Sequence, residues 1–224
     1  MKNKIKISLV LNIIIVLLTL TATIMMFTGF RFMDGNIILE SSKLSMFRFY
    51  TVDSNIFMGI CALIFGIKEI SLLKGKSNDI NIGYYVLKLV GTVGVTLTLL
   101  TVVFYLSRVV DGGLPILLKN SNLFYHLIIP VLSIITFIFF EKTDKVRFKY
   151  TFMGIITVVL YAIFYAINIL IHMENGKVST KYDWYFFVQS GTQYIFIILL
   201  IMLIFSYIIS LVLWICNKEK KKER

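Results

Sequence analysis

Charged residues, proline and cysteine are all scarce in this sequence of 224 residues. Only 16% of the residues are charged and only 2 are prolines, whereas 58% are hydrophobic. A soluble globular domain usually has about 45–50% apolar residues and about a quarter charged residues, so a soluble fold made from this chain could not cover its surface with polar side chains. The composition excludes a soluble enzyme and a disordered chain, and it predicts an integral membrane protein.

The two cysteines and the net charge exclude further classes of protein. Cys61 and Cys216 lie in apolar runs without Cys-x-x-Cys spacing, which indicates neither a disulfide-stabilised secreted module nor a zinc site. The net charge of +11 has a simple explanation in a membrane protein, because cytoplasmic loops collect Lys and Arg. We therefore predict that these loops bind anionic lipid headgroups and that the chain has no nucleic-acid partner.

Six apolar stretches are long enough to cross a bilayer core, which takes about 20 residues of helix. No alternating pattern favours a β-barrel, and backbone polar groups in lipid must be satisfied within the protein. We therefore predict an all-α polytopic membrane protein whose six transmembrane helices form one domain over residues 1–224. The predicted spans are at about residues 7–27, 49–67, 89–107, 122–140, 150–171 and 190–216.

The distribution of Lys and Arg predicts the orientation of the spans. The N-terminus, the loops 68–88 and 141–149 and the C-terminal tail together hold 16 basic residues, whereas the three alternate loops hold 7. Because cytoplasmic loops carry the excess of Lys and Arg, both termini are predicted to be cytoplasmic and Gly112 to lie outside. The excess of Ile, Lys and Asn over Ala, Arg and Pro is typical of an AT-rich bacterial genome, which indicates a bacterial plasma membrane.

Polar side chains concentrate at the predicted outer ends of the spans. Ionisable residues inside spans are costly and usually functional, so we expect a site one to two turns below the outer surface. The cytoplasmic half is expected to hold mostly Lys and Arg at the headgroup level, and Tyr182, Trp184 and Tyr185 to form an aromatic belt. The candidate site residues are Thr51, Asp53, Ser54, Asn55, Tyr105, Asn122, Tyr125, His126 and Trp184.

His126 is the most specific of these candidates. Asn122 lies four residues earlier on the same helical face. Pro130 lies four residues later and lacks the amide that would bond the His126 carbonyl, so the helix is expected to be kinked there. The histidine fits two roles equally well, a neutral hydrogen-bonded contact between helices or a functional titratable group.

Thr51 also fits two roles. A threonine at the start of a span, with Asp53 two residues later, is typical of a helix N-cap with a first-turn acid. The same position suits a nucleophile, because the free amides of a helix N-terminus can stabilise an oxyanion. Asn55, one turn further on, would then be an additional hydrogen-bond donor.

Two segments resemble the signature segments of a known family. Phe49-Tyr50-Thr51-Val52-Asp53-Ser54-Asn55 opens the second span, and Asn122-Leu123-Phe124-Tyr125-His126, followed by Pro130, opens the fourth. They are similar to segments of the androgen-induced, FAR-type membrane proteins and their bacterial relatives, whose six-span layout also fits. In animal members a threonine and a histidine are the essential pair of a hydrolase of fatty acid esters of hydroxy fatty acids. The resemblance implies that these residues match Thr51 and His126. The present sequence departs from the family's pattern at Asp53, where relatives tend to have a neutral residue.

The first functional hypothesis is an intramembrane hydrolase of lipid esters. Thr51 would be the nucleophile and His126 the general base, giving an acyl-threonine that water resolves. Asn55, Asn122 or first-turn amides would hold the oxyanion. The substrate, a membrane lipid of the outer leaflet, would enter sideways between helices, and neither a metal nor a cofactor is required.

Two alternatives use the same residues differently. A small-molecule or proton-coupled transporter or receptor would use His126 and Asp53 as a proton or ligand site in an outer cavity. No span has a Gly/Pro interruption at mid-membrane and no inverted repeat is visible, which disfavours a transporter. The third possibility is a partner subunit in which the polar cluster only satisfies its own hydrogen bonds.

Overall fold

The computed structural model describes residues 2–34, 39–188 and 191–218, and six long helices dominate these ranges. All six are long and apolar enough to cross a membrane, which confirms the all-α, six-span prediction. The start predicted for the last span, residue 190, lies outside the described residues. The helices are α1 (Lys2–Thr28), α2 (Tyr50–Leu73), α3 (Ile82–Val109), α4 (Ser121–Phe140), α5 (Phe148–Ile171) and α6 (Thr192–Asn217).

Helix α3 forms the centre of the bundle. In the most apolar 18-residue stretch of α3, 67% of the residues are buried, against 22–39% in the corresponding stretches of the other five helices. Helix α3 packs on α2, α4, α5 and α6. Small residues permit this packing, since a Cβ at Gly91 would lie 2.9 Å from Met58 Sδ and one at Gly94 would lie 3.1 Å from the Tyr50 hydroxyl. Helix α1 packs against α2 and α4.

Six spans place both termini at one end of the bundle. We call this the terminal end, which the sequence predicts to be cytoplasmic, and we call the opposite end the outer end. Lys88 departs from the sequence expectation, which placed it in a terminal-end loop. Helix α3 begins at Ile82 rather than at residue 89, and the Lys88 side chain is completely buried. The charged residue that precedes the apolar run, Lys88, therefore does not mark the beginning of α3.

Helix α4 is irregular at both ends. Phe124–Ile128 and Thr136–Phe140 are π-helical turns, in which the backbone bonds span five residues instead of four. The first of these turns contains His126 and immediately precedes the turn with Pro130. His126 therefore lies in a π-helical turn just before Pro130, at the point where the sequence predicts a kink.

The connections at the outer end fold back onto the bundle. A short helix, Gly113–Leu117, follows α3. Asn120, at φ +52°, then accepts hydrogen bonds from the backbone amides of Phe32 and Met33, both at 2.8 Å. These bonds tie the α1–α2 connection to the start of α4, and they hold the end of the short helix above His126.

The predicted orientation can be tested with one cysteine on each side of the membrane. Gly112 is unsuitable because it has φ +88° and a Cβ there would collide with Ile116. Asp111 and Asp144 are both exposed loop residues and form a matched pair. In a Cys216→Ser background, a membrane-impermeant thiol reagent applied to intact cells should label Asp111→Cys, and should label Asp144→Cys only after permeabilisation. The opposite pattern would reverse the orientation.

Candidate functional site

His126 is completely buried, and its ring is fixed by one backbone contact. Its Nδ1 lies 2.6 Å from the carbonyl oxygen of Leu117, at the end of the short outer helix. A carbonyl oxygen only accepts hydrogen bonds, so Nδ1 carries the proton. Nε2 is buried and has no hydrogen-bond partner within the described ranges. The ring therefore presents an unused lone pair, the form that a general base requires.

Thr51 lies in the second position of α2, not at its cap. The N-cap is Phe49, whose carbonyl accepts the amides of Val52 and Asp53, at 3.0 and 3.3 Å. The N-cap interpretation of Thr51 is therefore wrong, although Asp53 is a first-turn acid as expected. The helix begins at Tyr50, two residues earlier than a Thr51 cap would require, because the chain enters α2 through the buried Phe49.

Asn55 joins α2 to α4 and so places Thr51 and His126 on neighbouring helices. Its Nδ2 donates to the carbonyl oxygens of Thr51, at 2.7 Å, and Tyr125, at 3.1 Å. Both amide hydrogens are used, and the orientation of the carboxamide is fixed because both partners are carbonyls. Asn55 is consequently not free to donate to an oxyanion, which removes one of the three donors considered from the sequence.

No hydrogen bond joins Thr51 to His126 in the described part of the chain, since Nε2 is without a partner. The side chain and the backbone amide of Thr51 instead contact the hydroxyl of Tyr185, and the amide donates at 3.5 Å. Burial raises the pKa of Tyr185 to about 12, so this hydroxyl keeps its proton at neutral pH. The Tyr185 hydroxyl thus accepts from the Thr51 amide and has an O–H of its own beside Thr51, whereas the sequence predicted an aromatic-belt position for Tyr185.

Tyr185 belongs to a buried aromatic cluster made by α5 and the α5–α6 connection. The aromatic-belt interpretation is wrong for Trp184 and Tyr185, which are buried. Trp184 Nε1 donates to the Tyr161 hydroxyl at 3.0 Å, and Tyr165 donates to Asp183. A Tyr-Asp-Trp-Tyr run has the same composition in a lipid-facing belt and in a core, so only the fold distinguishes the two.

The remaining predicted site residues have separate positions. The Tyr105 hydroxyl donates to the Phe186 carbonyl at 3.0 Å, and Tyr125 bonds Thr23 of α1 at 2.8 Å. Ser54 contacts Thr98 on α3 at 3.2 Å. Asn122 is buried one helical turn before His126.

Asp53 lies on a different side of α2 from Thr51. It lines a groove of about 420 Å³ between α2 and α5, together with Ser54 and Tyr50. Among the described residues, the lining of this groove does not include His126. The transporter hypothesis placed His126 and Asp53 in one cavity, and this geometry does not favour that arrangement. The described residues also contain no group of three or more His, Cys, Asp or Glu that could hold a metal ion.

Thr51 lines a small cavity that shares walls with a larger groove. An apolar cavity of about 30 Å³ is lined by Thr51, Tyr185 and residues of α3, α5 and α6. A larger groove of about 660 Å³ runs between α3 and α6 and carries Tyr105 and Arg108. The walls that the two share are Leu97, Thr101, Phe187 and Met202.

The tautomer of His126 can be observed directly. In protein labelled with ¹⁵N-histidine, at neutral pH, His126 should show a protonated Nδ1 and an unprotonated Nε2, because the Leu117 carbonyl holds the proton on Nδ1. His126 and His172 are the only histidines, so the His172→Ala variant assigns the signals. A proton on Nε2 would mean that the lone pair is not available to a substrate.

Comparison with known proteins gives no match to this chain, whether with family models, curated proteins or solved structures. The resemblance to the FAR-type family remains a prediction based on two short segments.

Proposed function

We propose that this protein is an intramembrane hydrolase of lipid esters, with Thr51 as the nucleophile and His126 as the general base. The observation that carries the proposal is the buried, unused lone pair of His126 Nε2 on the helix that Asn55 joins to the helix of Thr51. Most buried polar atoms in proteins are hydrogen-bonded, so this unpartnered nitrogen is available to accept a proton.

The proposed reaction has two steps. Thr51 Oγ1 attacks the ester carbonyl carbon while His126 Nε2 takes the hydroxyl proton, and the tetrahedral intermediate collapses to acyl-threonine. The departing alkoxide receives the same proton from His126 and leaves as the alcohol. Water then attacks the acyl-threonine with His126 again as the base, and this step releases the carboxylic acid and restores both side chains.

Thr51 has to change its hydrogen bonding before the first step. Its side chain contacts Tyr185, so the hydroxyl must turn towards His126 when the substrate binds. Catalytic hydrogen bonds are often absent or long before the substrate is present. Once Thr51 has turned, the Tyr185 hydroxyl is a protonated donor beside the reacting carbon, and we assign to it the stabilisation of the oxyanion.

The groove between α3 and α6 fits an acyl chain of the substrate. Its lining is mostly apolar, its wall residues Phe104 and Phe205 are exposed on the outside of the bundle, and Arg108 lies at its outer end. The walls that it shares with the small cavity give a short route to Thr51, past Phe187 and Met202. A guanidinium at headgroup depth would bind a carboxylate or phosphate of a lipid, so an amphiphilic ester suits this site better than a neutral wax.

Loss of either member of the pair should abolish turnover. Thr51→Ala and His126→Ala should each remove hydrolysis of lipid esters by the purified protein in micelles, and the double variant should be no worse than either single variant, because the two residues act as a unit. Thr51→Ser should keep part of the activity, since a hydroxyl remains. A fluorophosphonate probe should label the wild type but not Thr51→Ala.

Thr96→Ala is the matched control for this experiment. Thr96 is a buried threonine of α3 whose hydroxyl donates to the Thr92 carbonyl of its own helix, so its loss should leave turnover unchanged. Thermal melting of each variant separates lost chemistry from lost folding. Full activity in a well-folded Thr51→Ala protein would contradict the nucleophile assignment.

Tyr185→Phe tests the oxyanion donor. Removal of one such donor typically lowers kcat by about 10²–10³-fold, and we expect a loss of this size with little change in KM. Trp184→Phe removes a neighbouring hydrogen bond, to Tyr161, and leaves the Tyr185 hydroxyl in place. If both variants lose activity equally, the aromatic cluster acts through packing and Tyr185 is not the donor.

A further inference from the structure

A second buried polar cluster lies at the terminal end of the bundle, and the proposed hydrolysis does not use it. Its side chains come from α1, α2, α3 and the residue that follows α4. Each is at most 3% exposed, although two of them are carboxylates and one is an amine. The terminal-end cluster consists of Ser8, Asn12, Glu69, Lys88 and Glu141.

Asn12 is the centre of the terminal-end cluster. Its Oδ1 accepts from Lys88 Nζ at 2.6 Å. Its Nδ2 contacts Glu69 Oε2 at 3.1 Å and Glu141 Oε1 at 2.9 Å. The two carboxylates are therefore held beside the same nitrogen atom, and α1 is bonded through one residue to α2, α3 and the end of α4.

The partners of Lys88 Nζ are those that suit an ammonium group. Nζ lies 3.1 Å from Glu141 Oε1, with both side chains fully buried, and 5.7 Å from the centre of the Phe65 ring. An ammonium group has three N–H donors, and here a carboxylate, a carboxamide and an aromatic face surround it. Without the ammonium group of Lys88, an ionised Glu141 would be an unpaired buried charge.

The charges of the cluster do not balance if both carboxylates are ionised. One ammonium group then faces two carboxylates, which leaves one uncompensated negative charge inside the bundle. Glu141 Oε2 is buried and, within the described ranges, accepts no hydrogen bond. An unpaired buried charge is costly, and two carboxylates in one site disfavour each other's ionised form.

We propose that the terminal-end cluster is a proton-binding site in which Glu69 and Glu141 together hold one proton at neutral pH while Lys88 remains charged. The proton belongs to the carboxylate pair and is not assigned to one residue, because interacting groups titrate as a unit. A bound metal cation fits less well, since hard cations such as Ca²⁺ take six or more oxygen ligands and the Lys88 ammonium already occupies the space between the polar groups.

A further titratable side chain lies close to the pair. Cys61 on α2 is close enough to interact with both Lys88 and Glu141. From α6, Asn217 donates to the Glu141 carbonyl oxygen at 2.9 Å. Glu141 directly follows α4 at the membrane boundary, so the proton would exchange with water on the side of the termini.

Infrared spectroscopy on the purified protein detects this proton. The wild type at neutral pH should show the carbonyl stretch of a buried carboxylic acid, which is distinct from that of a carboxylate. Glu69→Gln and Glu141→Gln should each remove the band, because either change leaves one carboxylate to pair with Lys88. Glu174→Gln removes an exposed glutamate and should leave it unchanged.

The stability of the protein gives a second measurement that needs no substrate. If the native state keeps a proton that the unfolded chain releases at neutral pH, stability falls as pH rises. The Tm of the wild type should therefore decrease between neutral and alkaline pH, and this decrease should be smaller in Glu69→Gln. The hydrolase activity enters neither measurement, so the two proposals can fail separately.

Three results would overturn the proposal. One is the absence of a carboxylic acid band in the wild type, which needs no variant to fold. Another is a wild-type Tm that depends on Na⁺ at constant pH, which would indicate a metal cation in place of the proton. The third is a band that persists in both Gln variants and disappears in Asp53→Asn, which would place the proton in the groove between α2 and α5.

Discussion

A polar group inside a bilayer has no water to bond with, and most of this structure follows from that constraint. Polar side chains of the spans meet this constraint in two ways, by bonds to their own backbone or by bonds to a neighbouring helix. Thr92 and Thr96 on the central helix use the first solution and bond carbonyls four residues earlier. Asn12 and Asn55 use the second, and each joins helices that are distant in sequence. Buried polar side chains are therefore found near both ends of the bundle and also along the central helix.

The same constraint explains why the outer site depends on the connections between helices. The His126 ring is fixed by a backbone carbonyl of the α3–α4 connection, and Thr51 contacts a tyrosine of the α5–α6 connection. These segments replace the water that would otherwise solvate the ends of α2 and α4. The site is assembled from two helices and two loops, so the chemistry of the loops matters as much as that of the spans.

Hydropathy and depth predicted the six helices and the presence of polar residues in the outer half. They could not predict Tyr185, because aromatic residues beside a span have the same composition in a belt and in a core. The Leu117 contact has no sequence signal at all, since its partner is a backbone carbonyl. Lys88 was assigned to a loop because apolar windows stop at the first charge, whereas in the structure α3 begins at Ile82 and Lys88 is buried beside Glu141.

The two π-helical turns of α4 have a consequence for how this fold can vary. A π-turn contains one residue more than the α-helical turn it replaces, and one residue rotates the following helix by about 100°. One turn contains His126 and the other directly precedes Glu141. A single-residue deletion in either turn would re-aim one end of the helix and leave the packing of the other end intact. The site around Thr51 and His126 and the terminal-end cluster can thus each be altered by deleting one residue of α4. A related protein could keep one of these two polar sites and lose the other while it retains the same fold.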